Sequence, residues 1–315
     1  MPRVLVADPI SAEGIEILRD GGRVEVVVAD AISAPDLLDA IGGFDGLVVR
    51  SRTKVTREVI ARADRLRVVG RSGVGLDNID VAAAAERGVA VVYAPGASAV
   101  SVAELAIGLM LALVRRVAEA DRSMRAGKWE RAQFVGEELS GKTLGIIGLG
   151  NIGREVAKRA AAFGMRILFF DPLRARSLED LAGVEETDLA GLLESSDIVS
   201  VHVPLRDETR HLIGPQALAR MRAGAYLVNT ARGGLVDEMA LLDAIRAGRI
   251  AGAALDVFEA EPPVGSALLA EPRVIATPHI GASTREAQER VGREVARQVV
   301  RALATSIQHT RNGGR

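Results

Sequence analysis

Short apolar runs alternate with amphipathic stretches over most of this chain. In residues 1–95, apolar runs at 4–7, 24–28, 47–49, 68–69 and 89–92 read as strands, and helical spacing begins near Ala12, Pro35, Thr56 and Val81. A parallel strand covered on both faces is apolar throughout, whereas a helix lying on the sheet is apolar along one stripe. The alternation therefore predicts an α/β fold, a doubly wound parallel sheet with helices on both faces. Residues 99–126 read as one long helix, with Leu105, Leu109, Leu113 and Val117 at helical spacing and Gly127 ending it. From about Gly141 the alternation resumes. Strands at 144–147, 167–170, 198–201, 226–229, 253–255 and 274–276 make six, the strand count of a full dinucleotide-binding sheet. Residues 283–304 read as a last helix with no strand after it. Such a helix can dock back on the first domain and make that domain discontinuous. The tail from Thr305 is polar and reads as frayed.

The second sheet opens with a distinctive stretch, TLGIIGLGNIGREVAKRAAAFGMRILFFD, at residues 143–171. It reads as strand, glycine turn, helix, strand and acid. Gly148 allows the tight turn out of the strand, Gly150 lets a pyrophosphate approach the backbone, and Gly153 lets the helix pack closely on the strand. The helix N-terminus offers unpaired N–H groups and partial positive charge to phosphates. Asp171 stands where the fingerprint requires an acid for the adenosine ribose hydroxyls. Its fixed negative charge disfavours a 2′-phosphate, which predicts NAD rather than NADP, although Arg174 lies close enough in sequence to offset this in part. No such fingerprint follows the first strand of the chain, where Asp8, Pro9 and Ile10 stand instead.

Composition narrows the picture. The 315 residues suit two domains, and 48% hydrophobic content with only 3% aromatic means that Ala, Val, Leu and Ile fill the cores. A formal net charge of −1 gives no global attraction to nucleic acid or acidic membrane. Cysteine is absent, which excludes a disulfide framework, thiol catalysis and Cys-ligated zinc, and no metal is expected. No apolar run reaches the length of a membrane span and no secretory leader stands at the N-terminus, so the expectation is a soluble cytoplasmic protein.

Ligands of open parallel sheets bind outside the carboxyl ends of the strands. Those ends carry His202, then Arg232 before a Gly-Gly pair, then Asp256 and Glu261, then His279. Redox chemistry between a carbonyl and an alcohol beside a nicotinamide needs a cation for the substrate carboxylate, an acid/base for the hydroxyl proton, and a carboxylate to orient that base and favour its protonated form. Arg232, His279 and Glu261 fit these roles in that order. His202 lies between valines and reads as a structural residue, while His211 and His309 read as surface residues.

Five blocks carry a family resemblance: GRSGVGLDNID (70–80), LGIIGLGNIGREVA (144–157), NTARGGLVDE (229–238), GAALDVFEAEPP (252–263) and TPHIGASTREAQ (277–288). In this order they resemble the D-isomer-specific 2-hydroxyacid dehydrogenases over essentially the whole length. The resemblance implies two α/β domains with the active site in the cleft between them. A Rossmann NAD-binding domain at 99–283 would be inserted into a discontinuous, flavodoxin-like substrate-binding domain at 1–98 plus 284–315. The family's catalytic residues fall on Arg232, Glu261 and His279. Its cofactor contacts fall on Gly148, Gly150, Asn151, Ile152, Gly153, Asp171, Thr230, Ala231, Asp256 and Gly281, with Asp256 reaching the carboxamide. Val74 and Val203 stand where some relatives have threonine, which removes two side-chain hydrogen bonds.

Local matches at RSRTKVT (50–56) and GKWERAQFVGEEL (127–139) resemble members acting on a phosphorylated 2-hydroxy acid. A phosphate site needs additional cations. Arg50 and Arg71 each follow a candidate strand, and Arg131 follows the long helix and could reach in from a partner subunit. Ser51, Ser72 and Gly73 complete the candidate substrate set, with solvated arginines as the alternative. A reductase of glyoxylate or hydroxypyruvate is the second reading, and a non-enzymatic NAD-sensing scaffold is a third of another class. Relatives dimerise through the region of the long helix, so at least a homodimer is expected. The longer relatives carry C-terminal regulatory domains, and none is expected here.

Overall fold

The computed structural model describes residues 1–172, 181 and 183–312, with side chains described as far as Thr305. Arg174 lies outside the described residues, as does the side chain of His309. The chain divides into two units, Met1–Ser98 with Ala282–Arg315, and Ala99–Gly281.

The first unit contains β1 (Arg3–Val6), α1 (Ala12–Arg19), β2 (Glu25–Val28), α2 (Ala34–Ala40), β3 (Gly46–Val49), α3 (Arg57–Arg62), β4 (Val68–Arg71), α4 (Val81–Glu86) and β5 (Ala90–Tyr93). The helices begin where a short polar side chain can take an unpaired N–H. Ser11 accepts from Gly14, Ser33 from Asp36, Thr56 from Val59 and Asp80 from Ala83. The strands form a parallel sheet in the order β2-β1-β3-β4-β5. That is a flavodoxin-like order, whose ligand crevice lies where the order reverses. Strand β3 is buried along its whole length, which is why it reads as an unbroken apolar run. Leu5, Leu47, Val49 and Val69 face one core. Val4, Val6, Val48 and Val68 face the other.

The chain's last helix, Arg285–Asn312, completes that second core with Val291, Val295, Val299 and Leu303. It also extends past Thr305, where a frayed tail was expected. The segment TSIQHTRN is polar but holds no glycine or proline, so nothing in it stops the helix before Gly313.

The second unit contains α5 (Ala99–Val114), α6 (Val117–Arg125), β6 (Thr143–Ile147), α7 (Asn151–Ala162), β7 (Arg166–Phe170), β8 (Val184–Glu186), α8 (Leu189–Ser195), β9 (Ile198–Val201), α9 (Pro215–Arg220), β10 (Ala225–Asn229), α10 (Glu238–Arg246), β11 (Ile250–Leu255) and β12 (Val274–Ala276). All strands are parallel, in the order β12-β11-β10-β9-β6-β7-β8. The order reverses between β6 and β9, so a crevice opens at their carboxyl ends. Among the described residues seven strands stand where six apolar runs were counted. The extra strand, β8, is a three-residue edge strand, Val-Glu-Glu, which pairs on one side only and lies largely in solvent.

The expected single helix over residues 99–126 is two helices. Helix α5 stops at Val114, Arg116 takes a left-handed conformation (φ 53°, ψ 36°), and α6 starts at Val117. The cause is tertiary. The Val114 carbonyl accepts the N–H of Glu137 at 2.8 Å, a partner 23 residues away in sequence. The Arg116 side chain binds the Glu119 carboxylate and lies over the Phe134 ring. No Gly or Pro marks the break, so the apolar spacing runs straight through it. The apolar face of α5 is covered by its own unit, where Ala106, Leu109, Met110 and Leu113 pack with Leu144, Ile146 and Val228. Exposed apolar surface lies further along, at Val117, Met124, Trp129 and Val135. Among the described residues no helix is long and apolar enough to cross a membrane.

Candidate active site

The glycine turn leaves β6 at the reversal point. Gly148 has φ 95°, a conformation that side chains resist, and its N–H donates to the Phe170 carbonyl. A Cβ on Gly153 would stand 2.1 Å from the Gly148 carbonyl oxygen, so the start of α7 reaches the turn only with glycine there. A Cβ on Gly150 would meet nothing within 4 Å, so the backbone there stands open. Asn151, Ile152 and Gly153 form the first turn of α7, whose N–H groups have no partner within the helix. Asp171 follows β7, and its Oδ2 accepts the Leu149 N–H at 2.8 Å. The acid thus braces the glycine turn, a role the ribose assignment did not foresee.

Strand β9 ends beside this turn, and β10 ends on the far side of β9. Asn229 pairs with Val201, so Thr230 and His202 leave adjacent strand ends. The backbone of His202 lies 2.9 Å from where a Gly148 Cβ would stand. Thr230 Oγ1 and His202 Nδ1 are buried and have no hydrogen-bond partner among the described residues. An orphaned buried hydroxyl is costly unless a ligand satisfies it. With the open Gly150 backbone and the helix N-terminus, Thr230 fits a polyhydroxylated, phosphate-bearing dinucleotide.

His202 has the structural environment expected of it. Its Nε2 stands 2.8 Å from Ser200 Oγ, and desolvation lowers its pKa from 6.5 to about 4. Between those values the unfolded chain binds a proton here that the folded chain excludes, so stability falls as pH drops through that window. Thermal unfolding should therefore show an acid-side loss that is smaller in His202→Gln. Equal losses in both proteins would refute this.

After β10 the chain makes the turn that carries Arg232. Asn229 holds both sides of it, accepting the Ala231 N–H at 3.0 Å and donating Nδ2 to the Arg232 carbonyl at 2.7 Å. The Arg232 guanidinium is half-buried, and its Nη1 donates to the Ala231 carbonyl. A Cβ on Gly233 would lie 1.9 Å from the Phe258 carbonyl carbon. The glycine therefore brings the Arg232 turn directly against the turn that follows β11.

That second turn begins at Asp256, which is 1% exposed. Its Oδ1 accepts from Thr277 Oγ1 and the Ile280 N–H, and its Oδ2 accepts from the Gly281 N–H. A carboxylate offers about four acceptor positions, so one more donor can be accommodated. Asp256 thereby ties the end of β11 to the loop after β12, where His279 sits at φ 53°. His279 Nδ1 stands 2.8 Å from Glu261 Oε2, and Glu261 Oε1 accepts the Phe258 N–H at 3.2 Å. A carboxylate only accepts, so Nδ1 carries the hydrogen and Nε2 is left as the proton acceptor. Arg232, Glu261 and His279 thus come from the ends of neighbouring strands. Asn229 and Thr277, which hold these turns, escaped notice because their motifs read only as strand ends. An Asn directly before a tight turn was the available signal.

In the first unit, Arg50 and Arg71 stand at the ends of the adjacent strands β3 and β4. Ser51 is exposed beside them, and the Ser72 N–H donates to the Val49 carbonyl at 2.7 Å. The Arg71 guanidinium lies over Gly73, where a side chain would stand. Asp8, buried at the end of β1, accepts the backbone N–H groups of Arg50 and Thr53 and the Arg52 guanidinium, while Asn78 donates to the carbonyls of Arg50 and Thr53. Arg131 is exposed and belongs to the second unit, in a single turn after α6. His211 is exposed, as expected, with Nε2 2.9 Å from Glu259 Oε1.

Residues 107–281 match the family described as D-isomer specific 2-hydroxyacid dehydrogenase, NAD binding domain. The chain is 51% identical over 304 residues to a D-3-phosphoglycerate dehydrogenase of Methanocaldococcus jannaschii, covering 96% of this chain and 58% of that one. It is 49% identical over 304 residues to a hydroxypyruvate reductase of Thermotoga maritima, covering 96% and 98%. The structure of a D-lactate dehydrogenase from Aquifex aeolicus, complexed with NAD and lactic acid, superposes with a TM-score of 0.83 at 30% identity, covering 99% of this chain and 98% of that one. This chain belongs to the D-isomer specific 2-hydroxyacid dehydrogenase family, and the residues that match that family's NAD binding domain, 107–281, lie within its second unit. It spans a little over half the length of the phosphoglycerate dehydrogenase it matches.

Proposed function

We propose that this protein is an NAD-dependent D-2-hydroxyacid dehydrogenase that oxidises 3-phosphoglycerate to 3-phosphohydroxypyruvate, the first step of the phosphorylated route to serine. The observation that carries the reaction type is the 2.8 Å contact between His279 Nδ1 and Glu261 Oε2. It leaves Nε2 to take the C2 hydroxyl proton, and the Glu261 charge stabilises the imidazolium that forms. Arg232 holds the substrate carboxylate through its planar pair of N–H donors. When NAD is bound, its nicotinamide supplies the acceptor for the hydride from C2. Thr230 and the first turn of α7 hold the dinucleotide, and Asp256 has capacity for one carboxamide N–H. The relatives named D-3-phosphoglycerate dehydrogenase support the substrate, at 51% and 50% identity. A hydroxypyruvate reductase is the second reading, favoured by the Thermotoga maritima relative of nearly equal length.

The deciding experiment follows NADH formation from 3-phosphoglycerate, glycerate, D-lactate and glycolate, and NADH consumption with the corresponding keto acids. A clear preference for 3-phosphoglycerate supports the first reading. Preference for hydroxypyruvate or glyoxylate moves the chain to the second, and no turnover of any of them refutes an enzyme of this class.

Two further expectations belong here. The Asp171 carboxylate should disfavour the 2′-phosphate of NADP, and comparable kcat/KM with NAD and NADP would refute that. We read the enzyme as cytoplasmic, and the exposed side chains of Val117, Met124, Trp129 and Val135 support its assembly as at least a homodimer through residues 117–135. Light scattering at micromolar concentration should give a mass of at least two chains.

A further inference from the structure

The turn over residues 256–261 positions Glu261; its first half is anchored by buried Asp256, Val257 and Phe258, and its second half, from Glu259, is exposed and held through hydrogen bonds. Within the turn, the Phe258 N–H holds one oxygen of the Glu261 carboxylate, so the direction of that carboxylate follows the backbone at Phe258 and Glu259. On one side this backbone rests on Gly233. On the other, the Glu259 N–H donates to Glu238 Oε1 at 2.6 Å. Glu238 is the first residue of α10, a helix capped by Asp237 and anchored through buried Leu241, Leu242 and Ile245. It therefore offers a rigid acceptor to a turn that has no regular structure of its own.

We propose that Glu238 is a positioning residue for the Glu261–His279 pair, fixing the Glu259 amide so that Glu261 points at His279 Nδ1. The inference rests on the reading of that pair as the catalytic acid/base. Glu238 stands in the first turn of α10, where the helix N-terminus favours a carboxylate, while burial opposes its charge. It is half-buried, and desolvation raises its pKa, with the nearby Glu259 carboxylate adding to the rise against the Glu259 N–H that lowers it. The other tie on Glu259, its side-chain pairing with His211, is 39% and 41% exposed on its two partners. Exposed pairs of that kind contribute little. The amide hydrogen bond, not the ion pair, is the strut.

The test measures kcat, KM and NADH affinity in the 315-residue chain for Glu238→Ala, Glu238→Asp and Glu238→Gln, with His211→Ala and His279→Ala as controls. Alanine removes the acceptor and aspartate withdraws it by one methylene while keeping the charge. Both should lower kcat about tenfold, since small misplacement of a catalytic group costs that much or more, with NADH affinity unchanged. Glutamine keeps an acceptor oxygen in place and should restore kcat. His211→Ala should retain kcat. The proposal is overturned if Glu238→Ala and Glu238→Asp keep wild-type kcat, if Glu238→Gln loses as much as Glu238→Ala, or if His211→Ala loses as much as either. His279→Ala separates the two levels of inference: an active His279→Ala enzyme defeats the acid/base reading, whereas an inactive one beside a fully active Glu238→Ala enzyme defeats only the role of Glu238.

Discussion

Replacing His279 with alanine should lower kcat by about 10²–10⁴-fold, the usual worth of a positioned general acid/base, while NADH still binds. The expectation follows from where the imidazole is held. Its Nδ1 is committed to Glu261, its backbone N–H to the Asp256 carbonyl, and only Nε2 is left for the hydroxyl proton. The proposed dinucleotide elements, namely the glycine turn, Asp171 and Thr230, belong to other strand ends and do not depend on the imidazole. Steady-state rates with 3-phosphoglycerate, combined with a fluorescence titration of NADH, separate the two effects. Glu261→Gln should fall in the same direction by a smaller factor, because it keeps a group beside Nδ1 but removes the charge that stabilises the imidazolium. A His279→Ala enzyme with near-normal kcat would remove the proposed mechanism.

The second large effect is on substrate choice. If Arg50 and Arg71 both bind the substrate phosphate, 3-phosphoglycerate should exceed glycerate in kcat/KM by about two to four orders of magnitude, from two charge-assisted hydrogen bonds worth about 1.5–3 kcal/mol each. Two features support the pairing. Val49 is in register with Arg71, which sets Arg50 and Arg71 at adjoining strand ends. The carboxylate of Asp8 grips the Arg50 amide, which fixes the backbone from which that side chain extends. Arg50→Ala and Arg71→Ala should each erode the preference while leaving NAD affinity alone. Equal use of glycerate and 3-phosphoglycerate by the wild-type protein would direct attention to the hydroxypyruvate reductase reading.

Much of this was present in the chain before it folded. Apolar runs fixed the strands because a parallel strand buried on both faces must be apolar throughout. The helix starts at Ala12, Ala34, Arg57 and Val81 lie directly after Ser, Ser, Thr and Asp, which supply caps from their own side chains. The glycine turn was legible because its demands are local: a positive φ at Gly148 and a close approach at Gly153. Arg232, Glu261 and His279 could be named because parallel sheets place chemistry at the carboxyl ends of their strands.

What escaped the sequence depended on partners far along the chain. The break at Arg116 exists because the Glu137 amide takes the Val114 carbonyl, and no residue near the break announces it. Strand β8 is an edge strand, so only its backbone had to be suitable and its side chains could stay acidic. The support of the site was equally hidden. Asp256 binds a loop more than twenty residues downstream, Asn229 folds back on its own turn, and Glu238 reaches the amide of Glu259. Local side-chain pattern therefore determined most elements and named the candidate chemical residues, because both follow from periodicity and strand ends. Only the tertiary structure decided which oxygen meets which N–H, because a hydrogen bond is set by distance and direction in space rather than by spacing along the chain.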